Sequence, residues 1–299
     1  MATGKRIRMG FKLGVLVGLA LIAGMFGTSG ASAQGFSVAF GREEFVVAPG
    51  DTFSGAIPVT NLSNESLQLK IYTGDWVRMP GQTSGYTFDG VGGREPRSLK
   101  DWIVFTPERM TLEPGETQEV RFDVDVPDDS SLEGSYWGAF FIANNPPEEP
   151  STEVQSGEGM RVGIRTSFRY AVQIFATIGG TEIRDATFET LDLAAAEGGF
   201  DVRATLENLG NVFMRPKVWL ELRNTEGEVV FQQEHGEQTL LPESGRDYLF
   251  EVGNLSMAPG RYLVMVIADY GVPRLIAAQQ TIDIAAGQPG SASREQDEN

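Results

Sequence analysis

The 299-residue sequence contains no cysteine and a single histidine. Disulfide frameworks, thiolate zinc or iron–sulfur sites and cysteine nucleophiles are excluded, as is any triad needing more than one imidazole. Cations are scarce too. Lys and Arg number 24 against 41 Asp and Glu, a formal net charge of −17, the wrong sign for a sequence-independent grip on a phosphate backbone. Nucleic acid is not an expected partner. Long apolar runs are also missing: residues 13–26 form an uncharged apolar stretch of 14, too short to span a bilayer comfortably, and nothing later is apolar enough for an integral membrane anchor. What is present is globular material, since 41% hydrophobic and 10% aromatic residues suffice to build cores.

Lys5, Arg6, Arg8 and Lys12 precede or open that apolar run, and Ala31-Ser32-Ala33 follows it. A positive start, a short apolar centre and a small-residue cleavage site read as an export signal over residues 1–33. Its removal takes away four cations and no acids, leaving −17 − 4 = −21. The expected location of the product is periplasmic or extracellular.

Downstream, strand-sized segments of alternating polarity are separated by Pro, Gly, Asn and Asp turns, with almost no helical 3.6-residue stripe. This is the pattern of β-sandwiches. The first set of expected strands covers residues 36–40, 44–47, 53–60, 67–77, 103–106, 119–126, 134–143 and 161–178. A second set covers 181–191, 200–208, 215–223, 229–238, 246–252, 260–270 and 277–284. The two sets follow one plan. Asn61-Leu62-Ser63-Asn64 is echoed by Asn208-Leu209-Gly210-Asn211, Leu112-Glu113-Pro114 by Leu241-Pro242-Glu243, and Gly134-Ser135-Tyr136 by Gly260-Arg261-Tyr262. A Gly-x-Tyr opening a late strand resembles the tyrosine corner of immunoglobulin-like sandwiches, where the hydroxyl bonds back to the backbone. The expected fold is all-β, two tandem immunoglobulin-like β-sandwich domains over 34–179 and 180–285, joined near Gly179-Gly180. The Gly-, Ser- and acid-rich residues 286–299 are expected to be a disordered tail.

Residues 161–178 carry the most information. Even positions are apolar apart from Thr166, and include Val162, Ile164, Phe168, Tyr170, Val172, Ile174 and Ile178, whereas odd positions include Arg161, Arg165 and Arg169. Eighteen strand residues at roughly 3.3 Å each reach about 60 Å, so this segment is expected to bend or to span both domains. The preceding Asn144-Asn145-Pro146-Pro147 and polar run to Gly159 read as a mobile loop.

These residues carry a family resemblance. From Phe36 to about Gly180 the chain resembles the N-terminal domain of periplasmic pilus-assembly chaperones of the PapD type. The resemblance rests on Val59-Thr60-Asn61, Trp76, Phe105-Thr106-Pro107, Leu112-Glu113-Pro114-Gly115, Val120-Arg121-Phe122 and the segment from Tyr136 into Pro146-Pro147. It implies that residues 167–178, with Phe168, Tyr170, Val172 and Ile174, form the edge that binds an extended segment of a secreted or surface protein subunit. It further implies that a basic residue of that strand anchors the subunit's terminal carboxylate. Arg169 matches that position best and Arg165 less well, while the family's second anchoring Arg falls near Arg42. The same half resembles the WxL-interacting proteins of Gram-positive surfaces in Val47-Ala48-Pro49-Gly50, the Gly-rich insertion 81–93 and Ser98-Leu99-Lys100-Asp101-Trp102-Ile103. That resemblance implies recognition of peptidoglycan, matrix or surface proteins instead.

Other features read as structural. Trp76, Trp102, Trp137 and Trp219 are expected in cores or corners, and His235 on a solvated hairpin. Asp123, Asp125, Asp128 and Asp129 lack the spaced oxygen ligands of a calcium loop. Acids are so plentiful that no carboxylate pair stands out as a glycosidase couple. The expectation is a non-enzymatic binding protein with no cofactor and no metal. A proline at Val172 is expected to remove a backbone donor from the binding edge.

Overall fold

The computed structural model describes residues 35–78, 86–88, 95–144, 168–196, 199–253 and 257–284. The first eleven strands are β1 (Phe36–Val38), β2 (Arg42–Val47), β3 (Thr52–Asn61), β4 (Leu67–Gly74), β5 (Trp76–Arg78), β6 (Tyr86–Phe88), β7 (Ile103–Thr106), β8 (Arg109–Leu112), β9 (Thr117–Asp125), β10 (Ser135–Asn144) and β11 (Arg169–Ile178). Two sheets, ordered β1-β3-β9-β7 and β2-β11-β10-β4-β8, face each other, and β5 with β6 makes a small ribbon. The remaining strands are β12 (Ala186–Ala196), β13 (Gly199–Asn208), β14 (Lys217–Arg223), β15 (Val229–His235), β16 (Gly245–Gly253), β17 (Gly260–Asp269) and β18 (Ile276–Ile284). They form sheets ordered β12-β13-β16 and β15-β14-β17-β18. The fold is two immunoglobulin-like β-sandwiches.

Period-2 alternation explains why these segments are strands. In β9, Val120, Phe122 and Val124 are buried between the sheets, while Asp123 and Asp125 point outward and accept hydrogen bonds from Ser54 Oγ (2.5 Å) and Thr52 Oγ1 (2.8 Å). The two aspartates are thus occupied by cross-strand hydroxyls. Each sandwich has its own core, one including Ile57, Leu112, Phe140 and Ile174, the other Leu206, Leu220, Tyr248 and Phe250. A third cluster lies where they meet: Trp76, Trp137, Phe141 and Phe175 of the first pack with Leu241 and Phe213 of the second. Burying these rings is worth on the order of 2 kcal/mol each, which fixes the angle between the sandwiches.

Hydrogen bonds seal the same junction. Ser135 N–H donates to the Asn211 carbonyl (2.9 Å), and Asn211 Nδ2 donates to the Thr181 carbonyl (3.0 Å). Gly134 is obligatory here. Its φ is +70°, and a Cβ would come within 2.1 Å of the Asn211 carbonyl oxygen.

Several expectations need correction. The single strand expected over 67–77 breaks at Asp75, which is buried and paired with Lys100 Nζ (2.9 Å). The strand expected from 181 begins only at Ala186, because residues 181–185 are held as a linker by Asn211 and by the Leu209 N–H bond to the Asp185 carbonyl. Strand β8 was not expected at all. His235 ends β15 with its ring edge-on to Tyr248 (5.0 Å between centroids) and Phe250 (5.8 Å), a packing role in place of a solvated one. The export signal, the first part of the strand expected over 161–178 including Arg165, the loop before it and the tail 286–299 lie outside the described residues.

Candidate partner-binding edge

Strand β11 has two different halves because its neighbours differ in length. On one side β10 pairs antiparallel along residues 169–177. On the other, β2 pairs parallel but starts at Arg42 opposite Gln173, so it covers only 173–178. Backbone direction follows from two bonds: Asn144 N–H donates to the Phe168 carbonyl, and Gln173 N–H donates to the Gly41 carbonyl. Even residues therefore aim their backbone groups at β10 and odd residues aim theirs at the β2 side. The Ala171 N–H points to the side where β2 has not yet begun. Val172 points its N–H into the ladder with β10, so a proline there would break the sheet and not merely blunt its edge.

Side chains alternate the other way. Val172 and Ile174 are fully buried in the first core, whereas Phe168 and Tyr170, on the same face, are 43% and 46% exposed. Tyr170 leans on Phe36 of β1 with centroids 5.8 Å apart. Two aromatic rings thus stand beside the stretch of β11 that no described strand pairs on the β2 side. The odd face, which carries the arginines in the sequence, is not solvated along its whole length. Phe175 and Thr177 are buried there, because the second sandwich covers the lower part of this sheet through Phe213, 4.3 Å from Phe175.

Arg169 lies on the upper part of that face. Its guanidinium donates to Tyr72 Oη (3.3 Å) and sits 5.1 Å above the Phe141 ring. Arg42 shares the face but is four residues further along the register, about 13 Å at roughly 3.3 Å per residue, and its guanidinium is engaged elsewhere. Arg42 instead belongs to a closed cycle of charges. It pairs with Glu44 (2.9 Å) and Glu237 (3.3 Å), and Arg215 pairs with the same two acids (2.6 and 3.7 Å). Arg215 is the inner member, its side chain 13% exposed and its guanidinium 5.4 Å from the Phe175 ring and 4.9 Å from that of Phe213. Sequence reasoning missed Arg215. Nothing local marks it, because its acids are Glu44, 171 positions earlier, and Glu237, just after β15.

Across the junction a cavity of about 510 Å³ is lined by Glu95, Arg97, Tyr136, Trp137 and Leu241 among others. Arg97 spans it, with Nη1 donating to the Glu133 carbonyl (2.9 Å) and Nη2 meeting Glu243 Oε1 (3.5 Å). Burial raises the Glu95 carboxyl above its usual value, against a bond from the Arg97 N–H and with Asp75 adding to the rise. Tyr136 packs its ring on Trp102 at 4.6 Å, and no hydrogen bond of its hydroxyl occurs among the described residues. By contrast Tyr262 Oη donates to the Ala258 carbonyl at 2.8 Å. Among the described residues only the second sandwich has the expected corner bond. Among the described residues no group of three or more His, Cys, Asp or Glu is placed to hold a metal ion.

The fold and edge define an all-β protein of paired immunoglobulin-like sandwiches. No protein-family model and no curated protein matches its sequence. Among solved structures it is similar to the class 5 fimbriae chaperone CfaA, at 16% identity over 83% of this chain and 98% of that one, with a TM-score of 0.43. It is similar to the CupB2 chaperone of Pseudomonas aeruginosa at 16% identity over 84% and 100% of the two chains (TM-score 0.38). It is also similar to a chain of the CsuC–CsuE chaperone and tip subunit complex of Acinetobacter baumannii, at 11% identity over 83% and 97% (TM-score 0.42).

Proposed function

We propose that this protein is an exported, non-enzymatic binding protein that captures an extended segment of a secreted or surface protein by adding it as a strand beside β11, and so chaperones or tethers that partner. In this reading the two sandwiches, joined at Gly179-Gly180, are its two domains, and it acts in the periplasm or outside the cell. The observation that carries the proposal is the stretch of β11 that β2 leaves without a partner strand among the described residues. A sheet edge with backbone groups facing outward recruits another strand, and alternating side chains beside it select which one. Here the outward N–H is that of Ala171, and the flanking side chains are Phe168 and Tyr170, with Arg169 on the opposite face.

A photo-crosslinking residue placed at Phe168 in the native host should trap one secreted protein, identified by mass spectrometry. Ala171→Pro removes the outward donor without touching the ladder to β10, so the crosslink should disappear while thermal melting stays within a few degrees. Val172→Pro, whose N–H faces β10, should unfold the first sandwich. A crosslink that persists in folded Ala171→Pro would overturn strand addition.

A further inference from the structure

We infer that the cavity at the junction of the two sandwiches is a binding site for a neutral saccharide. This inference goes beyond the strand edge proposed above and uses none of its residues. The cavity encloses about 510 Å³, within the roughly 300 to 1,000 Å³ of small-molecule sites, which favour domain boundaries. Every residue that lines it is described.

Two tied segments hold its walls. Residues 95–98 run beside the start of β10, where Trp137 N–H donates to the Arg97 carbonyl (2.9 Å) and Leu99 N–H to the Trp137 carbonyl (3.0 Å). The turn 241–244 is fastened at both ends: Leu240 and Met214 exchange backbone hydrogen bonds (2.8 and 2.9 Å), and Asn208 N–H donates to the Ser244 carbonyl (3.0 Å). Walls held in this way are preorganised, so a ligand loses little affinity to ordering them.

One residue of that turn is strained. Glu243 has φ +54°, a left-handed conformation that a Cβ disfavours, and it is the only non-glycine residue with positive φ among the described residues. It stands three residues after Leu240, whose carbonyl Asn208 binds, as Gly115 stands three after Leu112, whose carbonyl Asn61 binds. Gly115 takes the same conformation, φ +77°, without the steric cost. What glutamate supplies in place of glycine is a carboxylate that meets Arg97 Nη2 (3.5 Å) at the cavity. That pair does not by itself account for the strain, since the Glu243 side chain is 75% exposed and an exposed pair contributes little. Strained residues gather at ligand clamps.

Polar groups of both kinds are open. Among the described residues Arg97 uses two of its five N–H groups, on the Glu133 carbonyl and on Glu243. Glu95 Oε2, Glu243 Oε2 and the Tyr136 hydroxyl have no hydrogen bond there, and none of them is sealed from solvent. Burial also raises the Glu95 carboxyl, so water is partly kept from that wall. An anionic ligand would meet two carboxylates, and a cationic one would meet the guanidinium. A neutral ligand whose groups donate and accept together suits both, and hydroxyls do so. Trp137, Leu241 and Val77 supply apolar wall. The C–H face of a sugar ring packs against such a wall while its hydroxyl rim turns to Arg97, Glu95 and Glu243.

The test uses the full chain and saturation-transfer NMR with three neutral trisaccharides, maltotriose, cellotriose and chitotriose, beside trigalacturonate and leucine. At least one neutral trisaccharide should receive saturation, strongest at its ring C–H protons. Arg97→Gln should weaken that sugar about 10- to 100-fold, the loss of one charge-assisted hydrogen bond. Glu243→Gly should act in opposite directions on two readouts: it relieves the backbone and so keeps or raises the melting temperature, yet it weakens the sugar about 5-fold or more. A Glu243 that served the turn alone would move only the melting temperature. Absence of transfer to all three neutral sugars, stronger binding of trigalacturonate or leucine, or wild-type affinity in Glu243→Gly would overturn the inference. The crosslink at Phe168 reads strand addition separately, so either proposal can fail without the other.

Discussion

Asn208 makes in the second sandwich the clasp that Asn61 makes in the first. Each ends a strand, β3 or β13, and each is almost fully buried. Asn61 Nδ2 donates to the carbonyls of Glu65 (2.8 Å) and Leu112 (2.9 Å), and its Oδ1 accepts from Ser63 N–H (2.8 Å). Asn208 Nδ2 donates to the carbonyls of Val212 (2.8 Å) and Leu240 (3.4 Å), and its Oδ1 accepts from Gly210 N–H (2.9 Å). The repeated Asn-Leu marker supplies the carboxamide of each clasp, and the far carbonyl is Leu112 of Leu112-Glu113-Pro114 in the first sandwich and Leu240, just before Leu241-Pro242, in the second. Asn→Ala at either position deprives two carbonyls and an N–H of their partner, in a buried site at Asn208 and a part-buried one at Asn61, so each should cost about 1 to 3 kcal/mol in chemical denaturation. A loss under 0.5 kcal/mol at both would mean that the loops close without the carboxamide.

The two Gly-x-Tyr motifs, alike in sequence, should separate in experiment. Tyr262→Phe removes the bond to the Ala258 carbonyl and should cost about 1 kcal/mol. Tyr136→Phe keeps the ring that packs on Trp102 and should leave the melting temperature within about a degree. Equal losses at the two sites would mean that the hydroxyls play the same role.

How far the sequence can be read depends on the distance over which each feature is encoded. Alternation is local, and the strand at Ile103–Thr106 falls where the pattern places it; the ends of β13, β16 and β17 differ from their expected positions by one residue. Strand β8 escapes because four residues between Pro107 and Pro114 are too few to show a period. The covered odd face of β11 escapes for another reason. Phe175 reads as one polar-side exception until Phe213, thirty-eight positions later, is brought against it by the second sandwich. The parallel pairing of β2 with β11 links residues more than 130 apart, and it is this pairing that decides which backbone groups of the candidate edge remain outward. Arg169 could be picked out from its strand, but whether Arg42 converges with it is a question of register that the sequence does not answer.

The charge cycle yields the last prediction. Arg215 is half-buried against Phe175 and Phe213 and pairs with Glu44 at 2.6 Å, while Arg42, at 43% side-chain exposure, closes the cycle from the solvent side. Removing Arg215 takes a long side chain out from between two rings, while Glu44 and Glu237, 35% and 60% exposed, keep their pairs with Arg42; removing Arg42 leaves groups that water already reaches. Arg215→Ala should therefore cost about 1 to 3 kcal/mol, mainly through lost packing, and Arg42→Ala under about 1 kcal/mol. Arg215→Met restores the contact with both rings without the charge and should recover part of the loss, because replacing a buried ion by an apolar side chain of similar volume often costs little. Guanidinium denaturation of the three variants decides the matter: if Arg42→Ala proves as damaging as Arg215→Ala, the cycle holds the junction through its charges as a unit, and the stacking of Arg215 between the rings is secondary.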